Sequence, residues 1–174
     1  MAVNIGPKIG IEGEAEYRRQ IDGIIKQSKV LASEMKALTT SFDKNGKSVA
    51  DNVKQQKLLQ EQIKNQGDKL KAYNGMLDKA NEAYKKSKEQ LQMHKDALIE
   101  DKDAIAQLEK EVADNERKVQ EWQVQVNNAT AELNRMKGQL DAMPSSLDIV
   151  AAKFADMGMK LESVGNSIAM SVKS

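Results

Sequence analysis

Residues 49–143 repeat with a period of seven, and from Ile63 onward an apolar side chain returns at every seventh position. Ile63, Leu70, Leu77, Tyr84, Leu91, Leu98, Ile105, Val112, Val119, Val126, Leu133 and Leu140 all stand on this one row. An α-helix turns once in 3.6 residues, so a repeat of seven draws a narrow stripe that only another helix can cover. A chain built this way folds as long paired helices, and a strict seven-residue period gives the pair a left-handed supercoil. The companion row of the heptad is mixed: Leu59, Gln66, Tyr73, Ala80, Ser87, His94, Asp101, Leu108, Asn115, Trp122, Ala129 and Met136. One edge of the seam is apolar throughout and the other is interrupted by polar residues.

The expected fold is therefore all-α, made of long, elongated coiled-coil helices. Aromatic residues are only 3% of the 174-residue chain, and it has two prolines. A rounded core of that size normally fills its volume with large rings, so composition favours a helical rod over a compact enzyme. The formal net charge is +1, with acidic and basic residues interleaved. Sequence-specific nucleic-acid binding, which needs a clustered cationic face, is not expected. With no cysteine, disulfides and thiolate chemistry are excluded, and the chain fits a reducing compartment. No run reaches the roughly 18 apolar residues of a membrane span. Residues 1–13 lack the basic start and apolar core of a signal peptide, so a cytoplasm is the expected place of synthesis.

Taken in order, residues 1–13 form an extended lead-in around Gly6-Pro7, with an edge strand as one reading of its alternating Val3, Ile5, Ile9 and Ile11. Residues 14–42 form an amphipathic helix whose stripe runs Tyr17, Ile21, Ile24, Leu31, Met35, Leu38 and Phe42, broken by Ser28. Residues 43–48 are a turn or hinge, since Asn45-Gly46 tolerates positive φ and Ser48 suits a helix cap. Asp43 and Asn45 have the flavour of a calcium loop without its later acidic ligand. Residues 49–143 form one long helix, weakened at Gly67 and Gly75, that reaches roughly 140 Å at 1.5 Å per residue. Pro144 breaks it. Residues 144–174 then form a C-terminal amphipathic helix with the face Leu147, Val150, Phe154, Met157, Leu161, Val164 and Ile168, leading toward a continuation of the chain.

Steps of seven from Ile21 pass through Met35, Phe42, Val49 and Ile63, and onward through Leu140, Leu147, Phe154, Leu161 and Ile168. The phase survives both breaks, which favours a continuous rod with soft joints near Asn45-Gly46 and Pro144; a helical hairpin is the alternative. The residues expected to meet between strands are Ile63, Leu70, Leu77, Leu91, Leu98, Ile105, Leu108, Val112, Val119, Trp122, Val126, Leu133, Met136 and Leu140. Glu111 faces Glu116 in a parallel in-register pair, so flanking charge does little for a dimer, and a homo-oligomer of three or more chains is expected.

Chemistry is not written into this chain. His94 is its one histidine, which leaves no metal cluster and no histidine-based catalytic pair; with Asp101 and Asn115 it reads as a polar layer of the seam. Phosphate-cradling loops, GxSxG and HExxH are missing. No catalytic residue, no metal and no cofactor is expected. Methionines gather late, at Met136, Met143, Met157, Met159 and Met170, as core filling or as an adaptable binding face.

Several stretches are more particular than heptad filler. They are Lys8-Ile9-Gly10-Ile11-Glu12-Gly13 with Tyr17, Leu31-Ala32-Ser33-Glu34-Met35-Lys36, Ser41-Phe42-Asp43-Lys44-Asn45-Gly46-Lys47-Ser48, Trp122-Gln123-Val124-Gln125-Val126-Asn127-Asn128-Ala129-Thr130-Ala131-Glu132-Leu133, and Leu161-Glu162-Ser163-Val164-Gly165. In this order they resemble the amino-terminal region of tail tape measure proteins from long-tailed phages and prophages of Gram-positive bacteria. The resemblance implies a multi-copy helical ruler in the lumen of the virion tail tube, made in the host cytoplasm, that sets tail length during assembly and leaves at genome ejection. It also implies the tail tube protein and tail assembly chaperones as partners. Two other readings fit the same periodicity: a cytoplasmic coiled-coil scaffold or tether, and a membrane-active toxin subunit suggested by the low-charge stretch from Leu147 to Met170.

Overall fold

The computed structural model describes residues 9–45, 48–97 and 101–145, apart from the side chains of residues 43–45. Residues 1–8 of the lead-in, the turn residues Gly46 and Lys47, the seam residue Leu98 and the C-terminal segment from residue 146 lie outside the described residues. The rest is all-α. Three helices follow one another: α1 (Glu14–Asn45), α2 (Val49–Asp96) and α3 (Lys102–Asp141). The lead-in is no strand at residues 9–11.

Each helix starts where its sequence supplies partners for the first free N–H groups. Gly13 takes a left-handed φ of 74°, and its carbonyl accepts from Tyr17 N at 3.1 Å, while Glu14 and Glu16 place negative charge in the first turn of α1. Ser48 caps α2 as expected. Its hydroxyl accepts from Asp51 N at 3.1 Å, and the Asp51 carboxylate accepts from Ser48 N at 3.1 Å, a reciprocal capping box.

The expected single helix over residues 49–143 is two helices. Ala97 N–H donates to the carbonyl of Met93 at 3.0 Å, and Lys95 sets positive charge against the carbonyl end of α2. Asp101 then caps α3, its carboxylate accepting from Ala104 N at 3.0 Å. Asp101 is thus a helix cap and not a polar layer.

Side-chain contacts show that the chain reverses at both joints. Gln62 Nε2 donates to the carbonyl of Leu31 at 3.2 Å and Asn65 Nδ2 to that of Ile24 at 3.1 Å, so numbers fall along α1 as they rise along α2. Asn52 Nδ2 donates to the carbonyl of Pro144 at 3.0 Å, Gln66 Nε2 to that of Ala129 at 3.1 Å, and Lys95 pairs with Glu109 at 2.9 Å, which makes α3 antiparallel to α2 as well. The hairpin alternative holds near Asn45-Gly46, and the continuous rod is corrected to an up-down-up bundle with α2 in the middle. Short closures cost little chain entropy and bring each stripe its cover within the same molecule. The longest helix, α2, has 48 residues and so spans about 72 Å, half the reach of an unbroken rod.

The interior is the mixed row. Every seven-residue step up α2 is matched by one down α3, so the register that pairs Gln66 with Ala129 and Tyr73 with Trp122 also opposes Ala80 to Asn115 and Ser87 to Leu108. Large faces small in three of these layers and ring meets ring in the fourth, and Leu59, Gln66, Tyr73, Ala80, Ser87, Leu108, Asn115, Trp122 and Ala129 are all buried. The apolar row is only half-buried. α1 decides this: it packs on the flank of α2 formed by Asn65, Ala72 and Met76, so the mixed row lies between α1 and α3 while the apolar row turns away from α1.

The two weak glycines differ. A Cβ at Gly75 would stand 2.9 Å from Cε1 of Tyr17, whereas one at Gly67 would meet nothing within 4 Å. Gly67→Ala is expected to raise stability by about 1 kcal/mol. Gly75→Ala is expected to lose that gain because the Tyr17 ring must shift, and urea melts of the two variants will show the difference.

Candidate interaction surface

Of the residues expected to join separate chains, Leu70, Leu77, Val119, Trp122 and Val126 pack within one chain. Leu108 and Trp122 are buried, while Ile63, Leu70, Leu77, Leu91, Ile105, Val112, Val119, Val126, Leu133, Met136 and Leu140 are half-buried. Leu70, Leu77, Val119 and Val126 pack against the core cluster from its edge. The row is thus partly exposed at the edge of the core, and it is the candidate surface for a partner.

Trp122 is the junction of the bundle. Its ring lies 5.9 Å from that of Tyr73, tilted by 47°, and the Arg18 guanidinium of α1 sits 5.2 Å from its centroid. Ile21 and Asp22 of α1 border the same cleft, so three helices meet at one indole. Burial raises the Tyr73 phenol above its ordinary pKa.

Glu14 ties α1 to α3 beside it. Its carboxylate accepts from Arg18 at 2.5 Å and from Lys118 at 3.4 Å. Burial pushes its pKa up, but the Arg18 hydrogen bond and the charges of Lys118 and Arg18 outweigh that, leaving the carboxyl below its usual range.

Buried amides, which sequence reasoning passed over, hold the helices in register. Asn65 donates to the Ile24 carbonyl and, at 2.6 Å, to the hydroxyl of Ser28, so the one polar step in the α1 stripe is the acceptor for an α2 side chain. Asn115 Nδ2 donates to the Ile9 carbonyl at 3.2 Å, and Ile9 N donates to the Glu111 carboxylate, which straps the lead-in to α3. Only Asn115 among these was expected as a polar layer. Asn65 and Glu111 stand outside the mixed row, and the one mark, for Asn65, was Ser28, a polar step in the α1 stripe that asks for a polar group opposite. His94 is half-buried in the last turn of α2, and its Nε2 has no hydrogen-bond partner among the described residues.

Among the described residues no group of three or more His, Cys, Asp or Glu is placed to hold a metal ion, and no helix is long and apolar enough to cross a membrane. No protein-family model, curated protein or solved structure matches this chain.

Two predictions follow from this junction. Trp122→Ala is expected to cost about 3–5 kcal/mol of stability as a buried ring is removed, while Val124→Ala, at a site 53% exposed, stays within about 0.5 kcal/mol; denaturant midpoints measure both. Because the folded pKa of Glu14 lies below its unfolded value, its contribution is present above the ordinary carboxylate range and is lost as pH falls through the folded pKa. Glu14→Gln is expected to flatten that acid-side decline in melting temperature and to lower stability at neutral pH.

Proposed function

We propose that this chain is a structural segment of the tape measure kind: a multi-copy helical ruler that occupies the phage tail tube lumen, sets tail length during assembly and is released at genome ejection. The observation that carries the reading is the phase of the apolar row. It runs from Ile21 to Ile168, with Ser28 and Gln56 as polar steps, through two places where the described chain turns back on itself. Hairpins do not need this, because each turn can reset the phase of the helix after it. A rod needs it, because one seam must then run the whole length.

In this reading the bundle is the form the chain takes before assembly, and the extended helix is the form in the tube. Extension exchanges contacts between α2 and α3 for contacts between copies, three or more chains meeting along the same rows, while the polar outer face meets the tail tube protein and assembly chaperones. An extended helix converts residue number into length at a fixed rate, as a ruler requires. The particular stretches around Phe42-Asp43-Lys44-Asn45 and Trp122-Gln123 add the resemblance to tape measure proteins as support. No residue is catalytic in this reading.

A paired deletion tests it. Removing residues 74–80 together with 115–121 takes one heptad from each side of the α2–α3 register and leaves every remaining layer matched. Tails assembled on this variant are expected to be shorter by about 21 Å, at 1.5 Å for each residue lost. Tails of unchanged length overturn the ruler.

The second reading, a cytoplasmic coiled-coil scaffold or tether, is favoured by the folding of α1 and α3 onto α2, which covers most of the stripes within one chain and gives up reach. Purification of the chain from its native source apart from tail tube components supports it.

A further inference from the structure

Residues 9–18 reach across to α3 at successive points. Ile9 N donates to the Glu111 carboxylate, and the Ile9 carbonyl accepts from Asn115 Nδ2 at 3.2 Å. Glu14 then pairs with Lys118 at 3.4 Å, and the Arg18 guanidinium lies 5.2 Å from the centroid of the Trp122 ring. Glu111, Asn115, Lys118 and Trp122 recur at helical spacing and share one face of α3. Farther along, α1 is held by amides of α2, Asn65 on the Ile24 carbonyl and the Ser28 hydroxyl and Gln62 on the Leu31 carbonyl.

We propose that residues 9–13 are a latch that keeps the first half of α1 closed over α2, and that their release lets α1 leave while the α2–α3 hairpin stays folded. The clamp is built for main chain. Glu111 and Asn115 stand one turn apart and are 6% and 3% exposed, and between them they take the N–H and the C=O of a single residue, as a neighbouring strand would. A carboxylate buried this deeply is costly without a donor, so the closed strap and the buried pair hold each other in place. Ile11 adds an apolar anchor in the core cluster, with Ile9 packed at its edge. Gly13, at a φ of 74°, turns the chain from the strap into α1.

The seam beneath the latch is loosely built. A cleft between α1 and α2 is bordered by Gln20, Gly23 and Gln27 on one side and by Asp68, Lys71 and Asn74 on the other. The α2–α3 seam instead buries Tyr73, Ala80, Leu108, Trp122 and Ala129. Units with fewer buried apolar contacts open first, which makes α1 the movable arm and the hairpin the lasting frame. Opening uncovers the flank of α2 formed by Asn65, Ala72 and Met76. The inference concerns the folded chain and stands whether or not that chain enters a tail tube.

The chain has no cysteine, so one introduced thiol reports without background. Ala72 is buried on the α1 flank of α2, and Ala129 is buried between α2 and α3. Alkylation of Ala72→Cys and of Ala129→Cys in the full chain therefore follows the opening of each seam separately. Ile9→Pro removes the N–H that Glu111 receives, and it is expected to speed alkylation at Ala72→Cys about tenfold or more while leaving Ala129→Cys within about threefold. Ile9→Val keeps the N–H and is expected to leave both sites within about threefold of the parent. An equal rise at both sites, including one from general loss of helix, shows a single cooperative unit and overturns the latch. An unchanged rate at Ala72→Cys overturns it too. Glu111→Ala reaches the same clamp from the α3 side and is expected to repeat the Ile9→Pro pattern; failure to repeat it counts equally against the proposal.

Discussion

The antiparallel register of α2 on α3 is the constraint from which the rest of the structure follows. It is set by a few layers whose members cannot slide. Gln66 needs the carbonyl of Ala129, and the Tyr73 ring lies against Trp122. A slip of one heptad would set Tyr73 against Ala129 and Trp122 against Ala80, which parts the two rings and takes Gln66 away from the Ala129 carbonyl. Small residues then make the upper hairpin possible: Ala80, Ala83, Ser87 and Ala104 are all buried, and side chains of that size let two helix backbones run close. With α2 and α3 fixed, the position of α1 is decided by what remains exposed on α2, namely Ala72 and Met76 with the amides Gln62 and Asn65.

Polar groups in this interior act as registration marks more than as a source of stability. Asn52, Asn65, Gln66 and Asn115 each place an amide N–H on a main-chain carbonyl of another segment. The net gain from each bond is modest, about 1 kcal/mol, but a displaced helix would strand the amide without a partner at a cost of about 1–3 kcal/mol. Alternative alignments are penalised more than the native one is rewarded. Surface ion pairs such as Lys95 with Glu109, where both side chains are near half-exposed, add little by comparison.

This arrangement also bears on how such a chain meets partners. The apolar row that first suggests assembly packs against the core only from its edge and stays partly exposed.

Much of the architecture was legible in the sequence. The seven-residue repeat determined that the chain is helical, that the helices pair, and that Ser48 opens a new one, because these follow from 3.6 residues per turn and from local capping. The break at residues 97–101 also left local marks, His94 and Lys95 before it and Asp101 and Asp103 after it, but the unbroken apolar row ran over them and read as a single rod. Which row lies inside was not legible. The apolar row of Ile63 to Leu140 is the better seam by composition, yet Gln66, Ser87 and Asn115 are the buried ones, since α1 covers the flank next to the mixed row. Periodicity says that a stripe must be covered and is silent on which helix covers it; direction, register and the third helix are settled only when distant residues meet.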